Sequence, residues 1–101
     1  MNRYYKTLPM ISYPDFLGQI MKVKQFNSSR GRRYEVDGLR NDIMFFRRID
    51  AGGTDWNIDL KQLYRAYTEL ETFETENFRP YVPQCHSPGR GLLLHLGLIV
   101  W

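Results

Sequence analysis

The middle of the chain constrains the fold most, because two strand-forming runs there are separated by a short polar stretch. Arg32 to Val36 alternates polar with apolar residues, and Ile43 to Ile49 is rich in residues that favour strands. Asp37-Gly38 lies between the two runs and is typical of tight hairpin turns. We therefore predict an antiparallel hairpin, with its turn either at Asp37-Gly38 or in the wider stretch that ends at Asn41.

Helical spacing is found on both sides of this hairpin. Apolar residues recur on one helical face between Pro14 and Phe26, and Ser12 before them is typical of a helix start. Asp59 precedes Gln62 by three residues in a capping pattern, which predicts a second helix from there to about Glu71.

The remaining elements are a possible third strand and a terminal helix. Trp56 to Ile58 is short but rich in strand formers, and Ser87-Pro88 is typical of a helix start. The terminal helix is predicted to reach about Ile99, although its glycines leave a strand over Leu92 to Val100 as the alternative. Together these elements predict an α+β fold, with a small antiparallel sheet (the hairpin plus a possible third strand) packed by about three helices.

Length and composition indicate one domain. A chain of 101 residues, 43% of them apolar, is sufficient for one hydrophobic core. We assign residues 11–101 to a single α+β domain and residues 1–10 to a flexible leader, because the structured pattern begins near Met10. Cys85 is the one cysteine, and the chain has no apolar run of about 18 residues, so we predict a cytoplasmic protein without a membrane partner.

Basic residues are concentrated in the first half of the chain. Residues 1–50 contain ten Lys and Arg against five Asp and Glu, whereas residues 51–101 contain four against six. Arginines are interleaved with aromatic residues around the hairpin, and guanidinium groups bind phosphates while aromatic rings stack on bases. This pattern predicts a nucleic-acid-binding surface. Its predicted residues are Arg30, Arg32, Arg33, Arg40, Arg47 and Arg48.

The aromatic residues of the hairpin are expected to have different roles. Strand alternation places Arg33 and Tyr34 on opposite faces, so Tyr34 is expected in the core. By the same rule only one of Phe45 and Phe46 faces inward, and the other is available to lie near bases.

A neighbouring region can be interpreted as a catalytic site, because it contains a nuclease-like pattern. If the third strand continued through Lys61, then Asp59 and Lys61 would share one face. Asp42 or Asp50 would supply an upstream acid. An acid followed by acid-x-lysine on a strand resembles the core of the nuclease superfamily that includes many restriction enzymes. That resemblance implies two carboxylates for Mg²⁺ and a lysine that orients a water, but Asp59 is also the predicted helix cap.

Cys85, His86 and His95 are residue types that suit zinc. Three such residues without a fourth ligand and without a paired motif do not define a site, and His95 within an apolar run is more typical of a core histidine. We therefore predict no metal and no cofactor.

The apolar end of the chain supplies the alternative function. Leu92 to Trp101 must be buried, either in the core or in an interface with a second copy or another protein. The sequence favours a small non-enzymatic nucleic-acid-binding or regulatory module that uses the basic-aromatic hairpin. A protein-interaction module that uses the apolar C-terminal segment is the alternative, and a metal-dependent nuclease is favoured least.

Overall fold

The computed structural model describes residues 4–50 and 53–100 of the chain. These residues form three α-helices and two antiparallel sheets, which confirms the predicted α+β fold class. The strands are β1 (Tyr5–Lys6), β2 (Gln25–Asn27), β3 (Arg33–Arg40), β4 (Ile43–Arg48), β5 (Asp55–Asp59) and β6 (Ile99–Val100). The helices are α1 (Tyr13–Ile20), α2 (Leu60–Glu69) and α3 (His86–His95), with a 3₁₀ helix at Thr75–Phe78.

The main sheet has four antiparallel strands in the order β2-β3-β4-β5, and β1 pairs with β6 in a separate sheet. The predicted hairpin is confirmed as β3 and β4, and the possible third strand is confirmed as β5. Alternating side chains of these strands form a buried inner face. Phe26, Tyr34 and Phe46 meet on that face with ring centroids 5.3 to 5.5 Å apart, so Tyr34 lies in the core as predicted.

The turn of the hairpin is not at Asp37-Gly38, and this part of the prediction is wrong. β3 continues to Arg40, and Asn41 and Asp42 form the connection with φ angles of 53° and 63°. A two-residue hairpin turn with two left-handed residues matches the twist of the strands, and Asn and Asp tolerate that conformation better than most residues. The wider stretch, predicted to end at Asn41, includes the first residue of this turn and stops one residue before its end.

Asp37 instead lies at an irregularity in the ladder between β3 and β4. Val36 pairs with Phe46. Gly38 pairs with Phe45, the residue next to Phe46, so Asp37 is an extra residue in β3. Such a bulge shifts the alternation of side chains along the strand that contains it.

Helix α1 begins where the sequence predicts but ends earlier. The Oγ of Ser12 accepts a hydrogen bond from the backbone N–H of Asp15 at 3.3 Å and caps the helix. The helix ends at Ile20, whereas Phe26 lies in β2 and stacks on Tyr34. The prediction beyond Ile20 is wrong because strand pairing and aromatic packing outweigh local helical spacing there.

Helix α2 follows its capping motif closely. The carboxylate of Asp59 accepts a hydrogen bond from the backbone N–H of Gln62 at 3.2 Å, as the sequence predicts. The helix ends at Glu69, two residues before the predicted end at Glu71.

The terminal segment contains both a helix and a strand, which are the two alternatives that the sequence left open. α3 starts at His86, two residues before Pro88, the predicted first helical residue, and ends at His95. Gly97 then adopts a φ of 74°, which reverses the chain, and Ile99–Val100 pairs with β1. The helix ends before Ile99 because the last apolar residues pair as a strand.

Strand β1 lies within residues 1–10, which the sequence assigns to a flexible leader. Tyr5 pairs with Val100, and the backbone N–H of Thr7 donates to the carbonyl of Leu98 at 3.0 Å. Residues 1–3 and Trp101 lie outside the described residues. The division into leader and domain stays a prediction.

The helices cover the inner face of the four-stranded sheet. α3 packs against β2, α2 packs against β5, and α1 packs on α2. The largest fully buried side chains between them are Tyr67, Phe16, Phe46, Phe73, Phe78, Ile20, Met44, Leu60, Leu63, Leu92, Leu93 and Ile99. Among residues 4–50 and 53–100, no helix has the length and apolar character needed to cross a membrane.

Helix α3 approaches β2 closely at Gly91. A Cβ atom on Gly91 would overlap the carbonyl oxygen of Asn27 and lie 2.6 Å from the Cα of Ser28. Backbone atoms cannot move aside as a flexible side chain does, so α3 lies against β2 because residue 91 is glycine.

We expect Gly91→Ala to lower the free energy of unfolding by about 2 kcal/mol or more, because the added methyl group forces α3 away from β2. Gly18→Ala in α1 is the matched control, since a Cβ there meets nothing within 4 Å. Alanine is favoured over glycine inside a helix by about 1 kcal/mol, so the control should be slightly stabilised. Urea denaturation followed by circular dichroism measures both, and equal stabilities would contradict the close packing.

Candidate nucleic-acid interface

The four-stranded sheet has one covered face and one open face. The side chains that alternate with the core residues point away from the helices, and we call their surface the outer face. Its exposed residues are Gln25, Asn27, Arg33, Arg40, Arg47, Asp55, Asn57 and Asp59. Its half-buried residues are Glu35, Gly38, Ile43 and Phe45.

The bulge at Asp37 places two of the predicted arginines together on the outer face. Arg33 and Arg40 are seven residues apart, so strict alternation would put them on opposite faces of the sheet. The extra residue at Asp37 shifts the alternation of side chains by one position. Both arginine side chains are therefore exposed on the outer face. A glycine inside a strand pattern, here Gly38, is the sequence signal that can indicate such a bulge.

Phe45 lies at the centre of the outer face, whereas Phe46 is fully buried. This confirms that only one of the two rings faces inward. Phe45 stands opposite Gly38 on β3 and opposite Asn57 on β5. The guanidinium carbon of Arg40 lies 5.5 Å from the centre of the Phe45 ring, which is a cation–π distance. The outer face therefore presents an aromatic ring beside a guanidinium group.

Arg47 and Arg48 are held by neighbouring carboxylates. Arg47 Nη2 lies 2.7 Å from Glu35 Oε1, and Arg47 Nε lies 3.7 Å from Asp37 Oδ1. Arg48 Nε donates to Asp50 Oδ1 at 2.7 Å, and this hydrogen bond holds the pKa of Asp50 below its usual range. Exposed pairs of this kind add little stability, but they offset the charge of both arginines within the protein.

Arg30, Arg32 and Arg33 lie together where the chain enters β3. The Oγ of Ser28 accepts hydrogen bonds from the backbone N–H groups of Arg30 and Arg32 at 3.3 and 3.2 Å, which fixes the turn before the strand. The three side chains are exposed. Among the described residues, no carboxylate pairs with these three guanidinium groups or with that of Arg40. Four of the six predicted arginines therefore have no carboxylate partner among the described residues, and the guanidinium of Arg32 lies close to the hydroxyl of Tyr34.

A groove of about 580 Å³ borders β2 and adjoins this turn. Gln25, Asn27 and His95 are among the residues that line it. Lys22 and Lys24 line a neighbouring depression that shares Gln25 and His95 with the groove. The exposed basic residues thus continue from the turn before β3 along the side of β2.

The residues of the nuclease-like pattern do not share a strand. β5 ends at Asp59, and Lys61 lies in the first turn of α2, so the condition for that pattern is not met. Asp59 accepts the capping hydrogen bond of α2, and Asp50 pairs with Arg48. The strand arrangement that motivated this hypothesis is therefore absent from the described residues.

Asp42 takes part in a polar cluster between the hairpin turn and the helices. The hydroxyl of Tyr13 donates to Asp42 Oδ1 at 3.1 Å, and Lys61 Nζ lies 3.6 Å from Asp42 Oδ2. Burial, followed by the hydrogen bond to Asp42 and the charges of Asp42 and Asp59, raises the pKa of Tyr13. The hydroxyl stays protonated at neutral pH and acts as a donor, so the cluster joins α1 and α2 to the hairpin turn.

The three candidate zinc ligands are not brought together. His86 and His95 are the first and last residues of α3, about 14 Å apart along the helix axis. His95 is exposed, so the expectation of a core histidine is wrong. Cys85 is buried, and its Sγ donates to the carbonyl oxygen of Asn57 at 3.2 Å. Within residues 4–50 and 53–100, no group of three or more His, Cys, Asp or Glu side chains could hold a metal ion.

Comparison with known proteins adds no information about the function of this chain. No protein-family model matches the chain. No curated protein and no solved structure shows significant similarity to it. The functional argument therefore depends on the geometry of the outer face.

We expect the Cys85 thiol to react slowly in the folded protein, because burial raises the pKa of this thiol to about 11. At pH 8 roughly one such thiol in a thousand is ionised, against about a quarter of unperturbed thiols. Reaction with an aromatic disulfide reagent at pH 8 should be at least about 100-fold slower than in urea, and the native rate should rise about tenfold per pH unit towards pH 11. Equal rates in the folded and unfolded states would contradict the burial of this thiol.

Proposed function

We propose that this chain is a non-enzymatic nucleic-acid-binding module, and that it contacts its ligand with the outer face and the adjoining turn at residues 28–32. The proposal is carried by one observation. Among the described residues, four exposed arginines without carboxylate partners lie either on the open sheet face that carries Phe45 or in the turn that leads into it. They are Arg30, Arg32, Arg33 and Arg40.

The chemistry of these arginines suits phosphate. A guanidinium group is always charged and presents five donors in a planar fork that matches phosphate oxygens. Arg30, Arg32 and Arg33 are close together along the chain, and the hydroxyl of Ser28 fixes the backbone turn that brings them to the start of β3. Three positive charges at one end of β3 would together attract phosphates more strongly than any of them alone.

The length of β3 suits an extended nucleic acid. Arg33 and Arg40 are seven residues apart, which is about 23 Å along the strand at ~3.3 Å per residue. Phe45 lies on the neighbouring strand between these two positions. A chain of about four to seven nucleotides covers this distance, so phosphates could contact both arginines while a base lies near Phe45.

The alternative function has less support, because the C-terminal segment lies largely in the core. Leu92, Leu93, Leu98 and Ile99 are at most 4% exposed. Val100 is 43% exposed, and Trp101 lies outside the described residues. The segment offers a partner little apolar surface, and the protein-interaction module stays a prediction.

We expect binding of labelled oligonucleotides to weaken steeply with salt, because phosphate contacts release counterions from the nucleic acid. The variant Arg30→Gln/Arg32→Gln/Arg33→Gln should bind less tightly. It should also lower the slope of log affinity against log salt concentration by about 2 for single strands, at ~0.7 per lost contact. Fluorescence anisotropy titrations at several salt concentrations measure the slope.

The matched control for this triple variant is Lys61→Gln/Arg65→Gln/Arg79→Gln. It removes three exposed positive charges from elements on the helical side of the protein. The control should keep nearly the wild-type slope. A control that weakens binding as much as the triple variant would show that net charge alone is responsible. Absence of binding at low salt would refute the proposed function.

Removal of the carboxylates around Arg47 should strengthen binding. Glu35→Gln/Asp37→Asn frees the Arg47 guanidinium and removes two negative charges beside Phe45, so we expect several-fold tighter binding at low salt. Glu71→Gln/Glu76→Gln changes the net charge equally at exposed positions outside the sheet and is the control. The same anisotropy assay compares the two, and equal affinity of both variants would argue against a contact at the outer face.

A further inference from the structure

The space beside Phe45 is open on the side of β3. Gly38 is the residue opposite Phe45, and a Cβ atom on Gly38 would meet nothing within 4 Å. The resulting depression has a volume of about 320 Å³ and is lined by Asp37, Gly38, Leu39, Arg40 and Phe45. Any larger residue at position 38 would occupy this space, so the depression depends on the glycine that follows the bulge.

Two walls of this depression are groups on which planar rings stack. One is the half-buried ring of Phe45, and the other is the guanidinium of Arg40, 5.5 Å from the centre of that ring. Nucleobases stack on both kinds of group, and stacking does not depend on the identity of the base. The depression therefore has the chemistry of a site for one base.

The open sheet face favours contact with the bases of a single strand over contact with those of a duplex. In a duplex each base face is covered by its neighbours, and a protein reaches base edges with an element that enters a groove. All three helices belong to the covered side of the sheet, and the ring of Phe45 lies within the sheet surface rather than on a projecting loop. A base reaches this ring only when it is unpaired and unstacked.

We propose that the ligand of the outer face is single-stranded nucleic acid, one unpaired base of which stacks on Phe45 in the depression over Gly38. This inference rests on the proposed function and specifies its ligand. The phosphates on either side of that base lie towards Arg33 at one end of β3 and Arg40 at the other. Duplexes bind more weakly, through their phosphates alone.

The test uses the full chain and two labelled probes of the same sequence, a single strand of about twelve nucleotides and its duplex. Phe45→Leu keeps an apolar side chain but removes the stacking ring. Gly38→Val fills the depression, and no positive φ or nearby atom opposes a side chain there. Gly18→Val adds the same side chain in α1, outside the outer face, where a Cβ atom also meets nothing within 4 Å, and is the matched control. Urea denaturation establishes that all three variants fold.

We expect the wild-type protein to bind the single strand more tightly than the duplex. Phe45→Leu and Gly38→Val should each weaken single-strand binding by about five- to 100-fold, which is the usual range for one stacked base. Neither variant should change duplex binding, and Gly18→Val should bind the single strand as the wild-type protein does.

The results separate this inference from the proposed function. Tighter binding of the duplex, or unchanged single-strand binding by Phe45→Leu and Gly38→Val, overturns the base site. If the arginine triple variant is still weakened in that case, the proposed function stands without the base site. If the wild-type protein binds neither probe at low salt, both proposals fail.

Discussion

The extra residue in β3 at Asp37 decides which side chains share a face of the sheet, and the rest of the structure depends on that assignment. Because strand side chains alternate, a bulge reverses the assignment of every later residue in its strand. Here Val36 and Leu39 both pack against the core, while Arg33 and Arg40 are both exposed. An unbroken ladder would bury a guanidinium group or expose a leucine at one end of β3, and either outcome is costly.

Coverage of the inner face leaves the outer face as the accessible part of the sheet. The aromatic cluster of β2, β3 and β4 faces the helices, which supply the opposite side of the core. Both edge strands also have neighbours, since α3 lies against β2 at Gly91 and the thiol of Cys85 donates to the carbonyl of Asn57 on β5. These contacts limit the pairing of further strands, so the accessible surface of the sheet consists of side chains on the outer face rather than edge backbone.

Individual ion pairs, rather than net charge, distinguish the arginines of the outer face. Fields between exposed charges are screened within about 8 Å at physiological ionic strength, so each guanidinium responds mainly to its close neighbours. Glu35 and Asp37 offset Arg47, whereas Arg33 and Arg40 at the two ends of β3 have no such partner among the described residues. The formal net charge of +3 does not reveal this division. The proposed contacts with phosphate follow from this division between paired and unpaired arginines.

The sequence by itself determined the features that depend on residues close together in the chain. The cap of α2 joins Asp59 to Gln62, three residues away, and the strands of the hairpin are neighbours in the chain. The six candidate arginines were likewise recognisable from residue type and clustering. Only the tertiary structure decided that β2 pairs with β3 instead of extending α1, that Asp37 forms a bulge, and that Arg47 is held by Glu35 twelve residues away. Those outcomes depend on the free energy gained when one face of the sheet packs against the helices, and no local pattern contains that information.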